Sequence, residues 1–288
     1  MIKNWWIFAT LTLSCTLFSC DIINPAEEIP AYLKVDTVLV VTKTGQGAAV
    51  HNISCVKFNV GGTTLGFFEI PTQTPCLSTG PQSVIVYPGM RLNGIASSRE
   101  VYPFFTPYYG SSKIDLTAGE VISITPTFTY KPAAKFIWLE DFEDAGVTFL
   151  YATYSDTTII CQSDVVSSGR RSGAVYLDSE HKSFEAFSST DFDLPSTNSE
   201  ALLEFDYRSD VAIEVGIYSL TDGVGTWNTL MVIRPYKTWN RIYIDIHTLL
   251  EDSDLDAELF RPGLRAAWDS TGQAKQSFYL DNLKLIHY

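Results

Sequence analysis

The amino-acid sequence predicts an all-β protein made of two β-sandwich domains, a small antiparallel sandwich followed by a jelly roll. Three observations predict it. Aromatic residues are plentiful, with 17 Phe, 15 Tyr and 6 Trp in 288 residues, and together with many Thr, Val and Ile they suit pleated strands better than helices. Several segments alternate apolar and polar residues with period two, as a strand does when one face is buried. Glycine, proline and asparagine punctuate these segments at short intervals, as turns require. Only 18% of residues are charged, so the chain has the apolar content to fold rather than stay disordered.

The N-terminus is a separate element. Lys3 precedes an uncharged run over residues 4–19 that is rich in Trp, Phe, Leu and Ile. A membrane helix needs about 20 apolar residues, so the run is short for a span and fits the charged and apolar regions of a signal peptide. Its end, Leu17-Phe18-Ser19-Cys20, resembles a bacterial lipobox. That resemblance implies cleavage after residue 19 and acylation of Cys20, whose lipid would anchor the protein to a membrane, the outer membrane and its cell-surface side being expected. Asp21 retains lipoproteins at the inner membrane in some bacteria, and the periplasmic face stays open. Residues 20–32 then form the lipidated cysteine and a short tether, since two prolines oppose regular structure there.

Losing residues 1–19 removes one base, Lys3, and no acid, so the net charge of −13 becomes −14. An acidic surface repels phosphate backbones, which argues against nucleic acid as a partner, and polybasic adhesion to anionic lipid is equally disfavoured. Of five cysteines, Cys55, Cys76 and Cys161 remain available. Cys55 and Cys76 would pair in an oxidising compartment, or all three are buried thiols. No C-x-x-C pair suggests zinc.

The first domain is expected over residues 33–131. Residues 35–42 are a β-branched run. Val56, Phe58 and Val60 alternate on one face, and Gly61-Gly62 then signals a hairpin. Strands follow over 65–70 and 83–87, the latter closed by Pro88-Gly89. Asn93-Gly94 marks another turn, and strands at 113–116 and 121–130 flank Ala118-Gly119. Val56, Phe58, Val60, Gly61, Gly66, Pro71, Gly80, Val84 and Val86 resemble the pattern of PEGA-type surface β-sandwich repeats. That resemblance implies a spacer or binding module. Tyr102, Phe104, Phe105, Tyr108 and Tyr109 lie in a proline-pinned loop that either presents an apolar patch to a protein partner or packs down on the domain joint.

Residues 131–135 form a joint too short to act as a free linker, and the second domain spans 136–288. Leu203, Phe205 and Tyr207 alternate with Glu204 and Asp206, and Ile242, Ile244 and Ile246 with Tyr243 and Asp245. Each strand should bury the first set and wet the second. A short helix or acidic loop is expected over 248–260, stopped by Pro262-Gly263. The segments 139–143 (LEDFE), 168–178 (SGRRSGAVYLD), 202–208 (LLEFDYR), 239–246 (WNRIYIDI) and 277–286 (SFYLDNLKLI) resemble, in order, the galactose-binding-like jelly rolls of carbohydrate-binding modules and surface lipoproteins. The resemblance implies a structural Ca²⁺, with Glu143 and Asp281 as contributors, because calcium takes carboxylate and carbonyl oxygens.

No nucleophile or phosphate-loop motif is present. His51, His181, His247 and His287 share no spacing with a partner, and catalysis needs one. Glu140, Asp141, Glu143 and Asp144 read as a solvated strand end rather than the carboxyl pair of a glycosidase. Trp227 is placed in a loop over 222–228 that overhangs a sheet face. Tyr207, Tyr218, Tyr236 and Trp268 are candidates to join it in ligand contact, with Arg208 or Arg234 as donors, against the alternative of core and rim packing. The expectation is therefore a non-catalytic outer-membrane lipoprotein serving as a binding or scaffold subunit of an envelope assembly. The alternative is a surface glycan-binding lipoprotein, and a hydrolase comes last.

Overall fold

The structure, a computed structural model, describes residues 27–110, 112–194, 199–221, 224–250 and 259–288. Cys20, the signal segment and most of the tether lie outside the described residues, as do Asp222, Gly223 and residues 251–258. Among the described residues no helix is long and apolar enough to cross a membrane.

The regular secondary structure of the described chain is nearly all strand. Its first part contributes β1 (Ala31–Val35), β2 (Leu39–Val41), β3 (Cys55–Val60), β4 (Thr63–Glu69), β5 (Thr72–Cys76), β6 (Gly80–Gln82), β7 (Val84–Arg91), β8 (Arg99–Val101), β9 (Phe105–Thr106), β10 (Tyr108–Tyr109), β11 (Ile114–Leu116), β12 (Val121–Ser123) and β13 (Thr127–Tyr130). The rest contributes β14 (Lys135–Glu140), β15 (Phe149–Tyr151), β16 (Ile160–Gln162), β17 (Ser172–Leu177), β18 (Ser183–Ser188), β19 (Ala201–Ser209), β20 (Ile213–Thr221), β21 (Val224–Ile233), β22 (Tyr236–Asp245), the one-turn helix α1 (His247–Leu250), β23 (Leu259–Ala267) and β24 (Gln276–His287).

Residues 135–287 form two sheets, in the order β16-β17-β24-β19-β22 with β14 added to β24, and β15-β18-β23-β20-β21. Their facing sides hold one apolar core that includes Phe205, Leu203, Ile213, Ile217, Ile242, Phe278 and Leu280. This is the β-sandwich of jelly-roll type that the period-two strands anticipate. Among the described residues the first part builds four sheets, of three, five, two and three strands. Its strands are not all antiparallel, because β1 pairs β12 and β2 pairs β13 in parallel. The predicted single strand over 121–130 breaks between β12 and β13, where Pro126 has no N–H to give to a ladder. The Gly61-Gly62 turn links β3 to β4 with φ of 57° and 91°.

Two predicted stops are strand interiors instead. β7 continues through Pro88 and Gly89, opposite Val56 and Cys55. A Cβ on Gly89 would stand 2.4 Å from Cys55 Sγ and 2.9 Å from Cys55 O, so glycine serves a close approach there rather than a turn. Likewise Pro262 and Gly263 lie inside β23, opposite Ile217 and Gly216. Helix α1 begins the helical stretch expected over 248–260, of which residues 251–258 lie outside the described residues and Leu259 and Phe260 belong to β23. Cys55 and Cys76 are separate buried thiols on β3 and β5, not a disulfide.

The second apolar core joins the two parts. It contains Phe58, Tyr102, Phe104, Phe105, Phe128 and Tyr130, and it also takes in Leu202, Tyr243 and Ile286 from the outer side of the six-stranded sheet. Glu204 and Asp206, predicted to be wet, are 1% and 2% exposed. The alternation is real, but the first part of the chain covers the face that alternation assigns to water. The loop at 102–109 makes that cover. Tyr102, Phe104 and Phe105 are buried, Tyr108 is half-buried, and only Tyr109, at 60%, is well exposed. The segment is the packed joint and not a presented patch.

Candidate functional site

The outer face of the five-stranded sheet β15-β18-β23-β20-β21 carries a polar and aromatic cluster. On β20 the inward side chains Ile213, Val215 and Ile217 are fully buried, which by alternation turns Glu214, Gly216 and Tyr218 outward. The register then places Arg265 opposite Glu214, Gly263 opposite Gly216 and Arg261 opposite Tyr218. Glu185 of β18 lies beside Arg265, and Trp227 of β21 beside Tyr218. Trp227 is therefore a strand residue, not a tip of the 222–228 loop.

Two adjacent glycines explain how the indole lies. A Cβ at Gly216 would meet Trp227 Cζ2 at 2.4 Å, and one at Gly263 would meet Cζ3 at 3.1 Å. Their missing side chains let the ring cross the strands close to the backbone. The Arg265 guanidinium sits over the same ring, 4.0 Å from its centroid, a cation–π contact. Trp227 Nε1 donates to Glu214 Oε1 at 2.7 Å and to Thr229 Oγ1 at 3.1 Å.

Glu185 is the hub. It is 2% exposed, and it pairs with Arg265 Nε at 2.5 Å. The hydroxyls of Tyr154 and Tyr218 both donate to it. Burial opposes its charge, but the bonds from Arg265, Tyr154 and Tyr218 win and hold the carboxyl below the ordinary glutamate range. Tyr218 stacks edge-on to Trp227 and to Phe187 at 5.2 Å each. Tyr154, Glu185, Glu214, Val232 and Arg265 line an open depression of about 340 Å³. Its lining holds two carboxylates, Glu185 and Glu214, against the single Arg265 guanidinium, so it presents hydrogen-bonding edges with a net negative charge.

The sequence-predicted ligand residues divide. Trp227 and Tyr218 meet on this face. Tyr207 is buried against the sandwich core and borders a different cleft. Arg208 lies 5.8 Å from the Tyr279 ring. Trp268 packs beside the core and donates its backbone N–H to Lys182 O. Glu185, Arg265, Tyr154 and Glu214 escaped sequence reading because they come from four separate segments and form no motif. The period-two pattern of 183–188 (SFEAFS) was the one available signal, since buried Phe184 and Ala186 turn Glu185 outward.

Glu143 and Asp281 do not form a cation cage. Glu143 Oε1 accepts the N–H groups of Arg170 and Arg171 at 2.5 and 2.9 Å, and Arg170 Nε lies 3.1 Å from its other oxygen. Asp281 accepts N–H groups from Ser167 and Ser168 at 3.1 Å and from Asn282 at 2.8 Å. The two carboxylates tie down opposite ends of one turn. Both carboxylates spend their lone pairs on N–H donors rather than on the oxygen-lined shell that Ca²⁺ takes, although burial first and Asp206 next push the Asp281 carboxyl up to about 7, and among the described residues no group of three His, Cys, Asp or Glu side chains assembles. Glu140 is not solvated either. It is buried and accepts from Phe142 N and from Thr148 N and Oγ1.

A second polar cluster lies between the two cores. Arg241 pairs with Glu204 at 2.8 Å and Asp206 at 2.9 Å, and Tyr102 donates to Glu204. Lys284 Nζ donates to Ala48 O at 3.0 Å and Tyr130 Oη at 3.2 Å. Asn52 N donates to Tyr243 Oη at 2.7 Å. The charged groups Arg241, Glu204, Asp206 and Lys284 are sealed from solvent, and the geometry of the cluster suits a lock between the parts.

No family model matches the chain, and no curated protein matches it. Several solved structures are similar to part of it. One is a xylan-binding domain of carbohydrate-binding module family 22 from Paenibacillus barcinonensis, at 9% identity and TM-score 0.39, covering 54% of this chain and 96% of that one. Another is a family 30 carbohydrate-binding module of a cellulosomal cellulase from Clostridium thermocellum, at 11% identity and TM-score 0.40, covering 52% and 97%. A third is the K2 cleaved adhesin domain of Lys-gingipain, at 11% identity and TM-score 0.39, covering 54% and 98%.

Proposed function

We propose that this protein binds a carbohydrate chain on the outer face of its five-stranded sheet and does not cleave it. One observation carries the reading. The exposed Tyr154 ring, Glu214 and the Arg265–Glu185 pair line an open depression, and beside it Tyr218 donates to Glu185 while Trp227 packs against the Arg265 guanidinium. A sugar offers an apolar C–H face and a rim of hydroxyls. Ring surface beside a guanidinium and carboxylates meets both, and the pair holds its donors and acceptors in fixed directions.

The same geometry disfavours hydrolysis. A glycosidase needs one carboxyl kept protonated as acid and a second facing it. Glu185 is held ionised, and Glu214 is engaged by Trp227 and Thr229. The scaffold reading loses its docking loop, because the aromatic residues at 102–105 are buried in the joint. Placement at the outer-membrane surface through acylated Cys20 belongs to this proposal. A lipid-anchored glycan binder would hold polysaccharide at the cell envelope.

Glycan-array binding by wild type that Trp227→Ala abolishes, in a variant whose circular dichroism shows it folded at the assay temperature, supports the reading. A wild type that binds no glycan, or a Trp227→Ala protein that binds equally well, overturns it. Mass spectrometry of membrane-extracted protein checks the acyl group on Cys20.

A further inference from the structure

A second cleft, also about 340 Å³, lies where the turn at 93–95 meets edge strands β21 and β22. Tyr207, Met231 and Ile242 give it apolar walls, and Asn93 and Arg234 give it polar groups. The turn is held in place. Asn93 N donates to Tyr243 O at 2.8 Å, and its Oδ1 accepts from Asp245 N at 2.9 Å. Asn93 and Gly94 have φ of 54° and 68°, the left-handed pair that a tight turn demands. The cleft is thus preformed, with walls from both parts of the chain.

Val232 lines this cleft and also the depression on the outer face. It is 56% exposed on edge strand β21, with no strand beyond it among the described residues. The two hollows therefore meet around the edge of the sheet. We propose that the seam cleft is a second subsite for the same glycan, so that one extended chain runs from the Arg265 hollow over Val232 and into the seam. The inference rests on the outer-face reading above. Met231, Ile242 and the Tyr207 ring would face sugar C–H groups, and Arg234 would donate to hydroxyls. Because Ile95 and Asn93 come from the first part of the chain, long glycans would engage the joined protein while short ones need only the outer face.

The test is calorimetric titration of the whole mature protein with xylo-, cello-, manno- and galacto-oligosaccharides, from disaccharides to octasaccharides. Affinity should rise about tenfold between the trisaccharide and the longer members of the bound series, as one further modest subsite supplies. The exposed-site variants Ile95→Asp and, separately, Arg234→Ala should flatten that rise while leaving trisaccharide affinity and melting midpoint unchanged. A length dependence that is absent, or identical in wild type and both variants, overturns the seam subsite alone. Absence of binding in every series overturns it together with the outer-face reading.

Discussion

Arg241 bonds Glu204 through Nη2 at 2.8 Å exactly where the two apolar cores meet, and both side chains are sealed from water. The same guanidinium also holds Asp206. Removing the cation leaves two buried carboxylates uncompensated, and breaking such a pair costs about 3–5 kcal/mol. Arg241→Met should lower the unfolding free energy by about that much, measured by urea denaturation of the full mature chain. A loss below about 1 kcal/mol would mean water reaches the cluster.

The part of the six-stranded sheet's outer side that carries Leu202, Glu204, Asp206, Arg241, Tyr243 and Ile286 is an interior surface. A fragment of residues 136–288 would expose Leu202, Tyr243 and Ile286 with the Arg241 cluster. It should be poorly soluble or unfold non-cooperatively, although its own sandwich is complete. Circular dichroism melts check this, and a soluble fragment melting as sharply as the whole chain would contradict it.

Gly216 makes room for Trp227. Gly216→Ala places a Cβ against the indole and within 2.6 Å of Asn228 O, where the backbone cannot yield cheaply. Overpacking of this kind costs about 1–3 kcal/mol. The variant should lose that stability, shift the tryptophan emission maximum and weaken glycan binding together. Retained emission and binding would place the indole elsewhere.

Lys284 gives a pH signature. Burial first, and Arg241 next, pull its ammonium down to about 8, against the opposing pull of Glu204 and Asp206; Tyr130 also faces it. A depressed folded pKa means that the unfolded chain holds more protons above pH 8. This group's contribution to stability should therefore rise from about pH 8 upward, by no more than about 1.4 kcal/mol per pH unit. Lys284→Met should remove that increment, so the difference between wild type and variant should drift in favour of wild type as pH rises. Chemical denaturation at pH 7 and pH 9 measures it, and a pH-independent difference would refute the shift.

Chelation should do nothing. With Glu143 and Asp281 bonded to N–H groups of residues 167–171 and Asn282, EDTA should leave the melting midpoint where it is. A fall that added calcium reverses would show that the turn opens to take a cation.

The strands of the sandwich were legible because their period-two patterning is local. Leu203, Phe205 and Tyr207 do face its core. The glycine signals were half legible. Gly61-Gly62 is the turn it looked like, whereas Gly89 and Gly263 are glycines for closeness, to Cys55 and to Trp227 and Ala186, and sequence does not distinguish the two uses. At the site, Trp227 and Tyr218 were nameable as aromatics, but Glu185 and Arg265 are joined only through the register of β18, β23 and β20.

The sequence by itself determined strand content, the alternating faces and the absence of any nucleophile motif, since each is written in neighbouring residues. Tertiary structure alone decided which of those faces meet water. Glu204 and Asp206 look solvated in any local window. They are interior because a second apolar surface, 100 residues away in the chain, covers them and Arg241 supplies the charge that makes their burial tolerable.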